Sequence, residues 1–194
     1  TAHMAERGML TPRLIRTKDG ALCVPTSDGA WRMLSFVPGT THHTIQNLAQ
    51  AASAAELVGT FHRATANLQH RFHFSRPGAH DTVKHMDTLQ AAVRDAGDDP
   101  LSQAASDLGQ HILSAWAEWT GELDLPLRIC HGDLKISNLR FDAQGDRAIC
   151  LLDFDTFAHQ SIAVEMGDAW RSWCNPAGED NLDDIRFDLD IFEA

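Results

Sequence analysis

Long hydrophobic runs and basic residues are both scarce in this chain of 194 residues. No apolar stretch approaches the roughly 20 residues that a transmembrane helix needs, and no signal peptide opens the chain. The 16 Lys and Arg face 27 Asp and Glu, which gives a formal net charge of -11. Neither a membrane nor a nucleic acid is expected as a partner, because binding to nucleic acid phosphates requires a basic surface. The expected location is cytoplasmic.

Cysteine is sparse, and a glycine-rich phosphate-binding loop is lacking. The four cysteines, at positions 23, 130, 150 and 174, lie far apart and mostly within apolar runs. They do not have the paired spacing of a zinc site, so reduced thiols that pack in the core are predicted. No segment matches the glycine-rich fingerprints that hold phosphates in P-loop or dinucleotide-binding proteins.

Acidic, amide and basic side chains follow two apolar stretches, 127–130 and 148–152. These side chains are Asp133, Lys135 and Asn138 after the first stretch and Asp153 after the second. Phosphoryl transfer from a Mg-nucleotide needs such a set, because one Asp accepts the proton of the attacking hydroxyl while the other oxygen ligands hold the metal. The pattern predicts a kinase-type active site.

The spacing within the first group is that of the kinase catalytic loop, in which an Asn follows the Asp by five positions. Asp133 and Asn138 have this offset. Lys135 lies two residues after the Asp, where an ammonium group can neutralise charge that develops on the transferred phosphoryl group. We therefore assign the catalytic roles to Asp133 and Lys135.

The two groups are joined by a predicted β-hairpin, with strands over 138–141 and 148–152 and turn residues around Gly145. This hairpin would bring Asn138 and Asp153 alongside one another as joint metal ligands. The alternative is an ordinary hairpin whose acids are solvated or cap turns. It is disfavoured because Asp153 follows a buried-looking run, where an unpaired carboxylate would be costly.

These motifs resemble the aminoglycoside phosphotransferase and choline kinase superfamily, the small-molecule relatives of protein kinases. The similarity lies in 131–138 and in Leu152-Asp153-Phe154-Asp155. Gly132, where protein kinases usually carry Arg, and Asp-Phe-Asp in place of Asp-Phe-Gly favour the small-molecule branch. The resemblance implies an α+β, protein-kinase-like fold, in which a partial N-lobe sheet precedes a mainly helical C-lobe with a catalytic β-hairpin.

A second similarity lies upstream, where 31–39 resembles the last N-lobe strand and the hinge of the family. The residues whose backbone would bind the adenine edge are Ser35, Phe36 and Val37. The resemblance also implies that His131 braces the catalytic loop through hydrogen bonds. Asp168 lies where the family places a structural Asp that holds this loop, with a helix N-cap as the alternative role.

By the same resemblance, the chain is an ATP- and Mg²⁺-dependent phosphotransferase that acts on a hydroxyl of a small molecule. The acceptor classes left open are a sugar, an amino sugar, an aminoglycoside and an amino alcohol. The rival interpretation is a non-catalytic, truncated kinase-like domain that binds a nucleotide or a protein partner.

The family also places a phosphate-covering loop, a phosphate-binding Lys and a partner Glu before the hinge. Lys18 is assigned instead to a hairpin tip between the segments 14–15 and 21–24. We therefore expect a remnant of the N-lobe over 1–39, a helical C-lobe over 40–194, and little phosphotransfer by this chain alone. The uncovered N-lobe face could support a homo-oligomer.

Helical periodicity fills much of the remaining chain. Helices are predicted over 45–68, 83–96, 102–119 and 181–192, and a loop over 74–79. The first helix is expected to bury Leu48, Ala52, Ala55, Phe61, Thr65 and Leu68. The third is expected to bury Ala105, Leu108, Ile112, Ala115, Trp116 and Trp119, with the Trp pair in the core.

Overall fold

The structure, a computed structural model, describes residues 1–73, 78–121, 125–181 and 183–194. The chain forms two compact units. One combines Thr1–Arg71 with Leu125–Ala194, and the other is Phe72–Asp124. The division at residue 39 that the sequence suggests stays a prediction. Within the described ranges, no helix is both long and apolar enough to cross a membrane.

The first unit begins with a short helix and four short strands. They are α1 (Ala2–Glu6), β1 (Leu14–Ile15), β2 (Val24–Thr26), β3 (Gly29–Trp31) and β4 (Met33–Leu34). Strand β1 pairs antiparallel with β4, and β2 pairs antiparallel with β3. Two-stranded pairs of this kind are marginal by themselves, and here several apolar side chains stay exposed, among them Trp31, Met33 and Phe36.

Lys18 lies in a turn, as predicted, but this turn does not join paired strands. The amide of Gly20 donates to the carbonyl of Thr17 at 3.0 Å. The flanking strands β1 and β2 have other partners, because Ser27-Asp28 supplies a tighter turn that pairs β2 with β3. The predicted hairpin across Lys18 is therefore wrong, whereas its place in a turn is confirmed.

Helix α2 (Leu48–Thr65) begins at Asn47, whose side chain accepts a hydrogen bond from the amide of Gln50 at 2.8 Å. Its buried face shares Phe61 and Thr65 with the predicted one and otherwise differs from it. The buried residues are Gln50, Ala51, Ala54, Val58, Phe61, His62, Ala64 and Thr65. Leu48, Ala52 and Ala55 are exposed. The prediction failed because an apolar pattern does not count Gln50 and His62, two polar residues that this helix buries.

The central part of the first unit is built from four strands and two helices. They are β5 (Leu127–Cys130), β6 (Leu139–Phe141), β7 (Ala148–Leu151), β8 (Ala158–Ser161), α5 (Ile162–Trp173) and α6 (Leu189–Glu193). Strand β5 pairs antiparallel with β8, and β6 with β7. The predicted hairpin is thereby confirmed. Its turn forms because Asp142 Oδ1 accepts from the amide of Gly145, which adopts a φ of +86°.

The helix predicted over 181–192 is wrong for most of its length. Among the described residues of this range, only those of α6 are helical, and the side chain of Asp188 caps α6 by accepting from the amides of Asp190 and Ile191. The Asn181 side chain accepts from the amide of Asp183 at 3.0 Å. Such local bonds of Asn and Asp compete with a helix and explain the difference.

The second unit contains α3 (Thr82–Arg94) and α4 (Pro100–Glu118), which pack on one another. Gly109 lies at the crossing, where an added Cβ would come within 2.6 Å of Val93 Cγ2. The predicted buried face of α4 is wrong, since Leu108, Ile112 and Trp119 are exposed. The small residue, not the apolar stripe, faces α3. Trp116 and Trp119 stack on each other instead of forming core.

Of the predicted loop over 74–79, residues 74–77 lie outside the described ranges.

The cysteines are unpaired, and three of them are buried: Cys130, Cys150 and Cys174. Burial raises the pKa of Cys130 to about 12, and burial likewise raises the pKa of Cys150 to about 12. The prediction of packing thiols is confirmed for these three residues. Cys23 is exposed.

We expect these thiols to differ in reactivity. At pH 8 an aromatic disulfide reagent should modify Cys23 rapidly and the buried thiols at least ~10²-fold more slowly, because only thiolates react. Absorbance of the released thiolate measures the stoichiometry with time. Cys23→Ser should remove the rapid phase, and unfolding in guanidinium should expose the remaining thiols. Two or more rapid equivalents in the folded parent would contradict the burial.

Candidate active site

The loop that follows β5 carries the predicted catalytic residues. Its apolar and polar side chains alternate: Leu134 and Ile136 are buried, whereas Asp133 and Lys135 are partly exposed. The loop ends in a 3₁₀ turn, Ile136–Asn138, that leads into β6. Because the apolar side chains fix the loop to the core, the polar ones are held at the surface in a defined order.

Asp133, Lys135 and Asn138 form one hydrogen-bonded cluster. The Asn138 amide nitrogen donates to Asp133 Oδ2 at 2.9 Å and to the Asp133 carbonyl at 2.8 Å. Lys135 Nζ lies 3.1 Å from the same carboxylate oxygen. The hydrogen bond that Lys135 donates to Asp133 raises the pKa of Lys135, which keeps the ammonium charged. The structure thus brings together three of the predicted side chains.

Asp153 stands at the end of the hairpin beside this cluster. The amide of Leu152 donates to the carbonyl of Asn138 at 2.8 Å, so the chain reaches Asp153 directly alongside Asn138. Asp153 has a left-handed backbone, with φ 56° and ψ 72°. Its side chain is exposed, so the expected burial is wrong. Left-handed backbone in a residue other than Gly costs on the order of 1–3 kcal/mol and collects at functional sites.

The donor set at this point suits Mg²⁺. The nitrogen of the Asn138 amide is already bonded, which leaves its oxygen to join the Asp153 carboxylate. A few oxygen ligands, completed by water and phosphate, are the usual environment of Mg²⁺ in nucleotide sites. Within the described part of the chain, no group of three His, Cys, Asp or Glu residues forms a closed metal cage.

His131 is buried at the base of the loop. Its Nε2 lies 2.6 Å from the carbonyl of Leu152, so this nitrogen carries the proton and donates. The ring also packs edge-on against Phe154 and Phe157. Burial lowers the pKa of His131 and keeps the ring neutral. This bond joins the catalytic loop to the hairpin end that carries Asp153, which supports the bracing role proposed for His131.

The side chain of Glu165, in α5, holds the same loop, and the sequence prediction missed it. It is fully buried, and its two oxygens accept from the amides of His131 and Gly132, each at 2.8 Å. His62 Nε2 lies 3.3 Å from Oε1. Burial by itself would raise the pKa of Glu165, but His62 and the two amides outweigh it and the pKa is lowered.

Position 132 has no room for a residue larger than Gly. Its φ is +75°, and a Cβ here would come within 2.8 Å of the Thr156 carbonyl. A larger residue would therefore displace the segment that follows Asp153.

A single Glu within a helix has no sequence feature that sets it apart from surface residues, so Glu165 could not have been found from the pattern.

Two more side chains of α5 accept hydrogen bonds from the loop. Asp168 Oδ2 accepts from the amide of Leu134 at 2.7 Å, and Ser172 Oγ accepts from the amide of Ile136 at 3.0 Å. Glu165, Asp168 and Ser172 are spaced i, i+3 and i+7 and so share one face of the helix. The N-cap of α5 is Ser161, which rules out the capping role for Asp168. We infer that this face positions the catalytic loop.

The predicted hinge segment lies next to the β6–β7 hairpin. Thr40 and Phe141 exchange backbone hydrogen bonds of 3.0 and 2.8 Å, and the Arg140 guanidinium lies over the Phe36 ring. Phe36 is 77% exposed, whereas Val37 is buried. The amide of Ser35 already donates to the carbonyl of Arg13 at 2.8 Å, so this amide is not free to meet an adenine.

A cavity of about 590 Å³ opens beside the catalytic loop. Ile136 and Ser137 form part of its wall. Its other lining residues include the acids Glu179, Asp180 and Asp183. Arg171 Nη1 pairs with Glu179 Oε1 at 2.9 Å and neutralises that one acid. The cavity thus keeps a negative wall next to the loop of Asp133.

The model of the phosphotransferase enzyme family matches residues 1–190. The chain belongs to this family. The protein is 25% identical over 177 residues to a homoserine kinase of Rhodopseudomonas palustris (strain BisA53), covering 89% of this chain and 50% of the relative. A homoserine kinase of Parvibaculum lavamentivorans is also 25% identical, over 172 residues. The chain spans about half the length of the curated relatives it matches.

Solved phosphotransferase structures share the fold. An aminoglycoside phosphotransferase from Alicyclobacillus acidocaldarius matches with a TM-score of 0.60 and 18% identity, covering 88% of this chain and 55% of the other. An aminoglycoside-3'-phosphotransferase of type VIII matches with a TM-score of 0.51 and 21% identity, covering 99% and 68%. The partial kinase-like fold and the superfamily inferred from the motifs are confirmed.

Removal of the Glu165 carboxylate should destabilise this phosphotransferase domain. Glu165→Ala leaves two buried amides without an acceptor, and we expect a loss of about 2–4 kcal/mol in the free energy of unfolding. Urea titration followed by circular dichroism measures it, with Glu56→Ala, an exposed helical Glu, as the matched control. Equal unfolding midpoints for both variants would contradict the role of Glu165.

The loss of unfolding free energy caused by Glu165→Ala should depend on pH. Because the pKa of Glu165 is lowered in the folded state, its contribution is complete above the ordinary value of 4.5 and declines as the pH falls towards the folded pKa. The difference in stability between parent and Glu165→Ala should therefore narrow below pH 4.5.

Proposed function

We propose that this chain carries the catalytic half of a small-molecule kinase, which transfers the terminal phosphoryl group of ATP to a hydroxyl of its acceptor. The observation that carries the proposal is the cluster of Asp133, Lys135 and Asn138, joined to Asp153 through the Leu152–Asn138 hydrogen bond. Family membership supports phosphotransfer, and the homoserine kinase relatives support a small-molecule acceptor.

Asp133 is the proposed base. Lys135 and Asn138 both contact its Oδ2, which leaves Oδ1 to accept the proton of the attacking hydroxyl. The two contacts also fix the carboxylate orientation, which matters because a base acts only within hydrogen-bond reach of the proton. Lys135 stays charged next to the position where the phosphoryl group passes, and so stabilises the negative charge on it.

Asn138 and Asp153 are the proposed Mg²⁺ ligands, and the metal, when bound, would neutralise the charge of the nucleotide phosphates. Asp153 adds an exposed carboxylate beside the Asp133 cluster, which favours a bound cation. For the adenine, the backbone of Phe36 and Val37 remains the proposed contact, next to the hairpin. Ser35 is left with a structural role, since its amide is already bonded to Arg13.

The acidic cavity is the proposed acceptor site. Asp180 and Asp183 line the same cavity as Ile136 and Ser137, so an acceptor held by the acids would lie beside the catalytic loop. Carboxylates in such a wall favour an acceptor that carries an amine as well as a hydroxyl. Homoserine and the aminoglycosides, for which the similar proteins are named, have both groups.

The rival proposal is a kinase-like domain that binds a nucleotide without transfer. It is favoured by the position of Lys18, because a Lys in a surface turn does not supply a phosphate-binding cation at the catalytic loop. Little transfer by this chain alone stays a prediction, as does self-association through the exposed apolar side chains Trp31, Met33 and Phe36.

Replacement of the base tests the proposed function. In a full-length version of the protein, Asp133→Asn should leave affinity for Mg-ADP nearly unchanged and reduce phosphoryl transfer by about 10²-fold or more, the scale of a lost general base. Transfer is followed with labelled ATP over long incubations, and binding by calorimetry. Asp146→Asn, in the exposed hairpin turn, is the control. Equal rates in parent and Asp133→Asn would remove Asp133 from the mechanism and favour the rival.

The acceptor class is tested by binding. In a thermal-shift screen with Mg-ADP, amine-bearing alcohols should raise the melting temperature, and matched neutral sugars should not. Asp180→Asn combined with Asp183→Asn should reduce this shift by half or more, because the negative wall is lost. Asp107→Asn, on the exposed surface of α4, is the control. Stabilisation by neutral sugars that survives the double substitution would contradict an amine-bearing acceptor.

A further inference from the structure

An ion pair connects the N-terminal strands to the segment that follows Asp153. Arg32 Nη2 donates to Asp155 Oδ1, across 123 residues of sequence. Within the described residues, it is the one ion pair between 1–39 and the rest of the chain. Arg32 interrupts the predicted strand, because β3 ends at Trp31 and β4 begins at Met33. Its side chain is thereby turned towards the metal-binding end of the hairpin.

From this contact, we propose that Arg32 is the cation that binds the nucleotide phosphates from the N-terminal side, with Asp155 holding its guanidinium beside the metal site. The proposal rests on the proposed function, since it needs a Mg-nucleotide at Asn138 and Asp153. Arg32 supplies the positive charge that Lys18, in its surface turn, does not supply.

The location of Asp155 places Arg32 next to the phosphates. Asp155 lies two residues after Asp153, within the 3₁₀ turn Phe154–Thr156. A guanidinium bound to Asp155 is therefore held by the same short segment that carries the proposed metal ligand Asp153. Phosphoryl transfer depends on cations at the phosphate oxygens from several sides, because the charge is spread over those oxygens.

The chemistry of the side chain also fits. A guanidinium has five N–H donors in a planar fork, and Arg32 uses one nitrogen for Asp155. The remaining donors can bind phosphate oxygens in the bidentate manner typical of Arg. Arg32 and Asp155 are each about half exposed, at 50% and 49%, so a ligand can reach the pair. Arg32 also borders an open groove of about 270 Å³.

Other basic residues have different roles or partners. Lys135, 3.1 Å from the Asp133 carboxylate, is the proposed stabiliser on the side of the catalytic loop, and Arg16 in the N-terminal strands donates to the carbonyl of Gly20 at 2.8 Å. Arg140 lies over the Phe36 ring and donates to the carbonyl of Gly39. Among the basic residues of the N-terminal strands, Arg32 is thus the one that pairs with the segment carrying the proposed metal ligand.

The test compares ligands with and without phosphates. Calorimetry on the 194-residue chain would measure the affinity for Mg-ADP and for adenosine. We expect Arg32→Ala to weaken Mg-ADP binding by roughly 10-fold or more and to leave adenosine binding unchanged, because only the phosphate contacts are lost. Arg32→Lys should recover part of the loss, since it keeps the charge without the fork. Adenosine affinity also reports that the variants are folded.

Arg147→Ala is the matched control. Arg147 is an exposed Arg paired with an Asp, at 3.7 Å from Asp142, on the turn of the same hairpin. It should leave both affinities unchanged, which excludes a general effect of net charge. Equal Mg-ADP affinity in Arg32→Ala and the parent would overturn the inference, as would equal losses for Mg-ADP and adenosine, the result of a purely structural tether.

One further variant separates this inference from the proposed function. Asp153→Ala should abolish the Mg²⁺ dependence of ADP binding. If the parent binds Mg-ADP in an Asp153-dependent manner but Arg32→Ala has no effect, only the role of Arg32 fails. If the parent binds no Mg-ADP, the proposed function and the inference fail together.

Discussion

The bonds between α5 and the loop after β5 are the constraint on which the candidate site depends. Four loop amides, of His131, Gly132, Leu134 and Ile136, donate to acceptors on one face of the helix. A loop has no regular backbone partners of its own, so buried amides must be satisfied by side chains. Here one helix face satisfies them and at the same time sets the direction in which Asp133 and Lys135 point.

A second set of contacts relates this loop to the metal ligands. The His131 ring donates to the carbonyl of Leu152, and the amide of Leu152 donates to the carbonyl of Asn138. The proposed catalytic Asp and the proposed metal Asp therefore stand on backbone segments that are bonded to one another. Because Gly132 leaves no room for a Cβ beside Thr156, small size at this position is part of the same arrangement. The catalytic motif thus combines chemistry with packing.

Much of the candidate site could be predicted because its residues are local in sequence. The offset from Asp133 to Asn138 and the hairpin that returns to Asp153 depend on short-range geometry and turn chemistry, and the structure contains both. The buried faces of α2 and α4 could not be predicted in the same way. An apolar pattern overlooks Gln50 and His62, which are polar and buried, and Gly109, whose small size allows two helices to cross.

The sequence by itself determined the family, the kinase-like fold and the identity of the polar residues at the catalytic loop, since these follow from residue types at fixed spacing. Only the tertiary structure decided which distant residues complete the site. Glu165 is set apart from any other helical Glu by two amides that lie more than thirty positions upstream. Arg32 meets Asp155 across 123 residues. Contacts of this range follow from how elements pack, and no local pattern encodes them.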